Sequence, residues 1–168
     1  CAAYKHVHLS EENTITFLEN NVIPTYNLAN LSIKYKINKF VFISTDKAVR
    51  PTNIMGASKR MAELCIQYFA SKINNETIFS IVRFGNVLNS SGSVVPIFRE
   101  QINKGGPITV THKKVVRYFM LIDEAVLLIL NAFEIAKGGE VFVLNMSKQI
   151  NIYELAKKMI KLSGLKEI

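Results

Sequence analysis

The sequence has little cysteine, and it has no glycine in its first 55 residues. Its 168 residues include two cysteines, Cys1 and Cys65, which are too few for a disulfide framework or a cysteine metal cluster. Such sparse cysteine is typical of a reducing, cytoplasmic setting. No glycine precedes Gly56, so the glycine-rich turn that cradles phosphates in many nucleotide sites is absent from this chain. His6, His8 and His112 do not have metal-ligand spacing, and we expect no metal site.

Long apolar runs and targeting signals are also missing. The longest apolar stretch, around residues 124–133, is broken by polar residues well short of the ~20 that span a bilayer. The first residues, CAAYKHVHLSEE, lack the basic region, apolar region and cleavage site of a secretory signal. They also lack an initiator methionine, as a piece of a larger protein would. We therefore expect a cytoplasmic chain without a membrane span.

The chain is basic, but its charge is dispersed. It has 21 Lys and Arg against 13 Asp and Glu, a net charge of +8, which invites a nucleic-acid interpretation. The basic residues are scattered over helical stretches, without an arginine-rich run or an aromatic RNA-binding signature. We expect no nucleic-acid partner and interpret the lysines as a solvated surface that also attracts diphosphates.

Strand-like and helix-like segments alternate along the chain. Continuous apolar runs at residues 39–44 and 77–85 are typical of strands buried on both faces. Pro24 should end or kink a helical pattern at Ile23, and Asp123 is placed to cap a strongly apolar helix. Further strands or extended segments are predicted at 108–111, 118–122 and 140–146, and further helices at 55–73, 93–104 and 150–164. The alternation predicts an α/β fold with parallel pairing.

Polar residues follow the first predicted strand directly, as the run Ser44, Thr45, Asp46 and Lys47. Open α/β sheets bind ligands at this carboxyl end of their strands. A hydroxyl, a carboxylic acid and an amine in sequence supply a hydrogen-bond donor, a general acid and a general base. The same residues equally suit a strand that ends in solvated polar side chains. Position and spacing leave both interpretations open.

Several separate segments, in order, resemble one enzyme family. They are AAYKHV at 2–7, ENNV at 19–22, FVFISTDKAVRPTNIMGASKR at 40–60, VRFGNVLNSSGSVVPIFREQI at 82–102, GGPITVTH at 105–112, RYFMLIDEA at 117–125 and KGGEVFVLNM at 137–146. Together they resemble extended short-chain dehydrogenase/reductases. The specific resemblance is to polysaccharide-biosynthesis nucleotide-sugar 4,6-dehydratases, the UDP-N-acetylglucosamine group that includes the CapD-like proteins.

The resemblance implies a particular architecture. We expect a partial Rossmann-like parallel sheet flanked by helices, without its first βαβ half and with a small substrate-binding portion. Residues 1–90 would form the C-terminal part of the NAD-binding core. Residues 91–168 would mainly bind the nucleotide sugar. Some of their helices and strands would also belong to the NAD-binding core.

The resemblance also implies a reaction. In that family the residues matching Thr45, Asp46 and Lys47 carry out the dehydration. The implied cofactor is NAD(P), with NAD preferred, which takes a hydride from C4 of the hexose and returns it to C6. Between those events Lys47 would remove the C5 proton, and Asp46 would protonate the departing C6 hydroxyl. A simple oxidoreductase needs neither group.

Met55 departs from most of the superfamily. It precedes Lys59 by four residues, one helical turn, where most members carry a tyrosine that passes the C4 hydroxyl proton. A thioether has no proton to donate. A membrane-anchored branch of the resembled family has methionine at this position. We therefore interpret Met55 as a residue characteristic of that subfamily and keep it among the predicted catalytic residues. The parent protein would then lie at the cytoplasmic face of the inner membrane. Lys59 would hold the nicotinamide ribose.

Other site residues are implied by the resemblance alone. Cofactor contacts are assigned to Ala3, Lys5, Ser44, Lys59 and Phe84, and support of the site to Asn21. UDP-sugar contacts are assigned to Asn86, Ser90, Ser91, Val95 and Arg117, with the arginine fork suited to a diphosphate.

Two functional alternatives remain beside the dehydratase. A 4-epimerase would use the same fold without needing the acid and base pair. A non-catalytic half-protein would bind only the UDP-sugar, since it lacks the phosphate turn. In that case the unpaired strand 39–44 predicts self-association into a homo-oligomer, or pairing with a complementary N-terminal segment.

Overall fold

The structure is a computed structural model that describes residues 3–72, 76–90, 92–146 and 148–166. The chain divides into two compact units, Cys1–Phe84 with Val126–Asn145 and Gly85–Ala125 with Met146–Ile168. The helices are α1 (Val7–Glu12), α2 (Thr14–Asn21), α3 (Ile23–Lys34), α4 (Ile54–Ala70), α5 (Val94–Asn103), α6 (Ile122–Ile135) and α7 (Ile152–Leu162). The strands are β1 (Lys39–Thr45), β2 (Ile78–Phe84), β3 (Asn86–Val87), β4 (Val116–Met120), β5 (Val141–Val143) and β6 (Gln149–Asn151).

The first unit is built on a parallel sheet with strand order β1-β2-β5. The pairing of β1 with β2 runs in register from Lys39 opposite Ile78 to Thr45 opposite Phe84. Both strands therefore end at one edge, and the polar run that follows β1 begins there. The predicted α/β fold with a parallel sheet is confirmed.

Helix α4 covers this sheet and carries several of the predicted site residues. It begins at Asn53, whose side-chain oxygen accepts a hydrogen bond from the Gly56 N–H at 2.8 Å, an N-cap that satisfies an otherwise orphaned donor. Its buried residues recur at three- and four-residue spacing, so one face of the helix is turned to the core. That face packs into a cluster formed by Ala29, Phe42, Ala62, Ile66, Phe69, Phe79 and Ile81.

The helical stretch before β1 is divided. Pro24 lies in the first turn of α3, where its missing N–H has no intrahelical acceptor to lose, and α2 ends at Asn21. The predicted interruption at Ile23 is thus confirmed. The short helix α1 precedes both.

The second unit contains a small sheet in the order β3-β4-β6. Strands β3 and β4 are parallel, whereas β4 and β6 are antiparallel. Its core is formed by Phe98, Phe119, Ile152 and Ala156. The segment 108–111, predicted as a strand or an extended segment, is not a strand, because these residues form no ladder pairing. Strand β6 was not predicted, and α7 begins only after it, capped by the Asn151 side chain.

Helix α6 begins at Ile122, so Asp123 lies in its first turn rather than at the cap. An acidic residue there still favours the positive end of the helix. Within the described ranges, no helix combines the length and the apolar character needed to cross a bilayer.

Candidate active site

The residues after β1 form a turn whose side chains are bonded to one another. Asp46–Ala48 is a single 3₁₀ turn, and the Thr45 hydroxyl accepts the Lys47 backbone N–H at 3.4 Å. The same hydroxyl donates to Asp46 Oδ1 at 2.9 Å, and Lys47 Nζ donates to that oxygen at 2.9 Å. The side chains of Asp46 and Lys47 are 43% and 27% exposed. The structure therefore brings the three predicted catalytic residues of this turn together, with the acid and the base in direct contact.

Met55 and Lys59 lie one turn apart on α4, as the spacing predicted. Met55 is 4% exposed, and its carbonyl accepts the Ser58 hydroxyl at 2.8 Å. Lys59 is 8% exposed. Its ammonium donates to the Ile43 carbonyl at 2.7 Å and lies 4.1 Å from the centre of the Phe42 ring. Burial lowers the pKa of Lys59 to about 8, and the charge of nearby Glu63 partly opposes that shift.

The predicted cofactor residues differ in how they are held. Ala3 and Lys5 are exposed, while the backbone of Tyr4 between them is bound on both sides by the Asn21 side chain, at 2.8 Å and 3.0 Å. Phe84 is half-buried at the end of β2. Ser44 is buried, and its hydroxyl donates to Glu63 rather than toward solvent. Their contacts with a cofactor stay predictions.

Asn21 links three parts of the first unit. Besides holding Tyr4, its amide donates to the Ser58 hydroxyl at 2.9 Å, and Ser58 in turn donates to the Met55 carbonyl. Asn21 is 2% exposed, and these bonds satisfy its polar atoms in the interior. The supporting role assigned to Asn21 thus has a physical basis, since one amide fixes the segment around Tyr4 against α4.

Glu63 is a buried charged residue that the sequence analysis missed. It is fully buried on α4, one turn beyond Lys59, and it receives hydrogen bonds from Ser44, Arg60 and Arg83. Its signal in the sequence is a glutamate on the apolar face of an amphipathic helix. Charged residues are rarely fully buried unless they are paired, and that rule could have identified it.

The predicted substrate residues lie in the second unit. Asn86 on β3 donates from its amide to the Tyr118 carbonyl on β4 at 3.1 Å, and the exposed Arg117 precedes that tyrosine. Arg117 donates to its neighbour, the Val116 carbonyl, at 2.8 Å. The structure therefore places Asn86 beside the strand that carries Arg117.

The remaining predicted substrate residues flank α5. The Ser90 backbone carbonyl accepts the Ser93 backbone N–H at 2.9 Å just before the helix, and Ser91 lies outside the described residues. Val95 lines an open cavity of about 400 Å³ together with Leu88, Asn89 and Arg99 on one side and the α7 residues Leu155 and Met159 on the other. In the parts of the chain that the structure describes, no group of three His, Cys, Asp or Glu side chains could hold a metal ion.

Comparison with known proteins gives the family. The profile of the family described as polysaccharide biosynthesis protein matches residues 1–168. The capsular polysaccharide biosynthesis protein CapD of Staphylococcus aureus is 54% identical over 166 residues, which are 99% of this chain and 28% of that protein. The probable polysaccharide biosynthesis protein EpsC of Bacillus subtilis is 50% identical, over 97% of this chain and 27% of that protein.

Another relative carries a different name. A protein named UDP-glucose 4-epimerase from Rickettsia canadensis is 39% identical over 98% of this chain and 48% of its own length. The chain thus spans between about a quarter and a half of these relatives.

Solved structures agree with the fold. Pen from Bacillus thuringiensis has a TM-score of 0.93 and 40% identity, covering 99% of this chain and 54% of that one. The dTDP-glucose 4,6-dehydratase DesIV from Streptomyces venezuelae, solved with NAD bound, has a TM-score of 0.91 over 99% of this chain and 56% of its own. At 20% identity DesIV supports the Rossmann-like fold alone. The resemblance inferred from the separate motifs is confirmed, and the chain belongs to the polysaccharide biosynthesis protein family, together with CapD and EpsC.

Proposed function

We propose that this chain carries the catalytic edge of an NAD-dependent nucleotide-sugar 4,6-dehydratase, acting on UDP-N-acetylglucosamine or a close relative. The observation that carries the proposal is the hydrogen-bonded set Thr45, Asp46 and Lys47 at the carboxyl end of β1. The relatedness to CapD and EpsC supports a nucleotide-sugar-modifying enzyme of polysaccharide biosynthesis. The choice of dehydration over other reactions depends on the chemistry of the turn.

Dehydration across C5 and C6 needs a base and an acid side by side. The base removes the C5 proton beside a C4 ketone, and the acid protonates the C6 hydroxyl so that it leaves as water. Lys47 and Asp46 are joined by a hydrogen bond of 2.9 Å. Passage of one proton across that bond converts the ion pair into a neutral amine and a carboxylic acid, which are the two forms that the elimination uses.

Thr45 supplies a group that Met55 cannot. The Met55 thioether has no proton to give, and its side chain is buried. The Thr45 hydroxyl both donates to Asp46 and accepts from the Lys47 backbone, so it connects to the proton-transfer pair. We infer that Thr45, with Asp46 or an ordered water, takes over proton removal from the C4 hydroxyl.

Lys59 fits the ribose end of a nicotinamide cofactor. Its ammonium has three donors, of which one is used on the Ile43 carbonyl, so donors are available for ribose hydroxyls. NAD, when bound, would supply a reversible hydride acceptor. Ala3, Lys5, Ser44 and Phe84 complete the proposed cofactor contacts. DesIV, which shares this fold, was solved with NAD.

We assign the UDP-sugar to the residues at and beyond β3. Arg117 is exposed and presents a guanidinium fork suited to a diphosphate, with Asn86 bonded to the adjacent residue of β4. Ser90 and Val95 would shape the pocket, together with Ser91. We keep the proposed division into a cofactor portion at 1–90 and a mainly sugar-binding portion at 91–168, with Asn86 and Ser90 of the first portion also contacting the UDP-sugar.

The proposal also concerns a longer parent protein. Within the described residues β1 pairs only with β2, so its other edge presents unpaired backbone groups. We infer that a complementary N-terminal segment of the parent, or a second copy of the chain, covers this edge. From the resemblance to the Met-containing branch, we propose that this parent lies at the cytoplasmic face of the inner membrane. Tight NAD binding by the isolated, monomeric chain would contradict the need for such a segment.

A 4-epimerase is the second candidate, favoured by the relative named UDP-glucose 4-epimerase. The two reactions differ in product mass. The full-length protein is incubated with NAD and UDP-N-acetylglucosamine, and the product is analysed by mass spectrometry. A product lighter by one water supports the dehydratase. A product of unchanged mass, inverted at C4, supports the epimerase.

A further inference from the structure

We propose that Glu63 is a positioning residue, which fixes the end of β1 and Lys59 relative to each other through Ser44, Arg60 and Arg83. This inference rests on the proposed function for its catalytic consequence. Its physical basis is the arrangement of one fully buried carboxylate among three different elements.

Glu63 is buried because its charge is matched. Oε1 accepts the Ser44 hydroxyl at 2.6 Å and the Arg83 Nε–H at 2.7 Å, while Oε2 accepts Arg60 Nη1 at 2.8 Å and a second Arg83 nitrogen. Four hydrogen bonds use the acceptor capacity of a carboxylate. Burial raises the pKa of Glu63, but the bonds from Arg83, Ser44 and Arg60 outweigh it and hold that pKa below its ordinary value. The side chain therefore stays ionised.

These partners come from the edge of the sheet that carries the proposed chemistry. Ser44 and Arg83 are directly opposite each other in the pairing of β1 with β2. Glu63 bonds to both, so it ties the two strands to α4 at one level. Ser44 immediately precedes Thr45. The hydrogen bonds from Ser44 and Arg83 to Glu63 therefore lie next to the turn formed by Thr45, Asp46 and Lys47.

Lys59 is held by the neighbouring residue of the same strand. Its ammonium binds the Ile43 carbonyl, while Glu63 one turn later binds the Ser44 hydroxyl. Two successive residues of β1 are thus fixed by two successive turns of one helix face. A shift of Glu63 would move the turn after β1 relative to Lys59, and therefore relative to whatever Lys59 binds.

The charge of Glu63 also acts on Lys59. Besides Lys59 and Glu63, the charged residues of α4 and of the elements packed against it are Arg60 on α4, Arg83 on β2, Lys39 on β1, Asp46 and Lys47 after β1, Glu11 and Glu12 on α1, Glu19 on α2 and Lys34 on α3; His8 on α1 is also titratable. Asp46 and Lys47 pair with each other, Glu11 accepts the Ile54 backbone N–H, and both arginines are bonded to Glu63. Neutralising Glu63 removes the counter-charge of Lys59 and leaves two arginines uncompensated. Both effects disfavour the ammonium form of Lys59.

The first test measures Lys59 directly, without relying on activity. The full-length protein is labelled with ¹³C at lysine Cε, and the Lys59 signal is assigned by its loss in Lys59→Met. The titration midpoint is expected near pH 8 in the natural protein and about one pH unit lower in Glu63→Gln. Glu100→Gln is the control, because it neutralises an exposed glutamate in an ion pair with Lys104 on α5. An unchanged or raised midpoint in Glu63→Gln would overturn the proposal.

The second test uses Ser44 and applies even where Glu63→Gln does not fold. Ser44→Ala removes the bond to β1 while Glu63 keeps both arginines. The kcat for dehydration is expected to fall about tenfold with KM within about twofold, and Ser44→Thr should restore most of it. Ser71→Ala, which deletes a hydroxyl bond at the far end of α4, is the control. Full activity in Ser44→Ala, or equal loss in Ser44→Thr, would contradict the positioning role. Absence of turnover by the natural protein would refute the proposed function alone, and the Lys59 titration still decides the role of Glu63.

Discussion

Gly56 lies so close to Lys47 that a β-carbon on Gly56 would overlap the Lys47 carbonyl oxygen. The contact allows the first turn of α4 to press against the backbone of the proposed base. A larger residue at position 56 must displace either the turn that contains Lys47 or the start of α4, where the Asn53 side chain accepts the Gly56 N–H.

Gly56→Ala is therefore expected to damage both stability and catalysis. We expect a loss of about 1–3 kcal/mol in the free energy of unfolding, measured by denaturant titration, and at least about a tenfold loss of kcat. Gly164→Ala is the control, because Gly164 has a φ of +74° but nothing near its added β-carbon. It should cost stability through backbone strain alone and leave kcat unchanged. A fully active Gly56→Ala would show that the Lys47 position is not critical.

Removal of either member of the proton-transfer pair should separate activity from stability. Asp46→Asn and Lys47→Met are each expected to lower kcat by about 10²–10⁴-fold, because each removes a group that moves a proton in the elimination. The free energy of unfolding should change by less than about 1 kcal/mol, since the pair is partly exposed. Lys36→Met, which breaks the exposed pair with Glu76, provides the control. Comparable activity in Lys47→Met and Lys36→Met would argue against the assigned roles.

The side-chain hydrogen bonds of Asn21 should contribute to the stability of the fold. Asn21→Ala removes the partner of both backbone groups of Tyr4 and of the Ser58 hydroxyl. We expect a loss of about 1–3 kcal/mol in thermal or denaturant unfolding, because the groups left behind are unsatisfied. Asn27→Ala, an exposed site on α3, should change stability by less than about 0.5 kcal/mol. Equal effects of the two variants would show that the Tyr4 segment is not fixed by this amide.

Stability and activity should respond to alkaline pH in opposite directions. The pKa of Lys59 is about 8 in the folded chain against an ordinary value of 10.5, so the unfolded chain binds more protons between these values. Stability relative to Lys59→Met should therefore rise from about pH 8 to 10.5, by up to about 3 kcal/mol. Activity should decline over the same range as the ammonium is lost. Denaturant titrations of both proteins across this range measure the difference, and a flat difference would contradict the burial penalty on Lys59.

The features that the sequence could predict are local ones. The apolar run of β1, the break at Pro24 and the polar turn from Thr45 to Lys47 each depend on neighbouring residues, and all three are present in the structure. The spacing of Met55 and Lys59 follows from helix geometry in the same way.

The features that it could not predict depend on distant partners. Glu63 is buried because Ser44 and Arg83 arrive from two strands, and nothing within α4 specifies them. Strand β6 has three residues and exists only by pairing with β4, whereas the β-branched residues at 108–111 find no ladder at all. Strand propensity over so few residues is decided by the tertiary partner.

The central claim is that Lys47 and Asp46 perform an elimination, and the fate of the C5 hydrogen tests it most directly. The full-length protein is incubated in D₂O with NAD and UDP-N-acetylglucosamine, and the product is examined by NMR. The account predicts a 4-keto-6-deoxy sugar that carries deuterium at C5, and no such product from Lys47→Met. A product that keeps its 6-hydroxyl and its original C5 hydrogen, with inversion at C4, would contradict it.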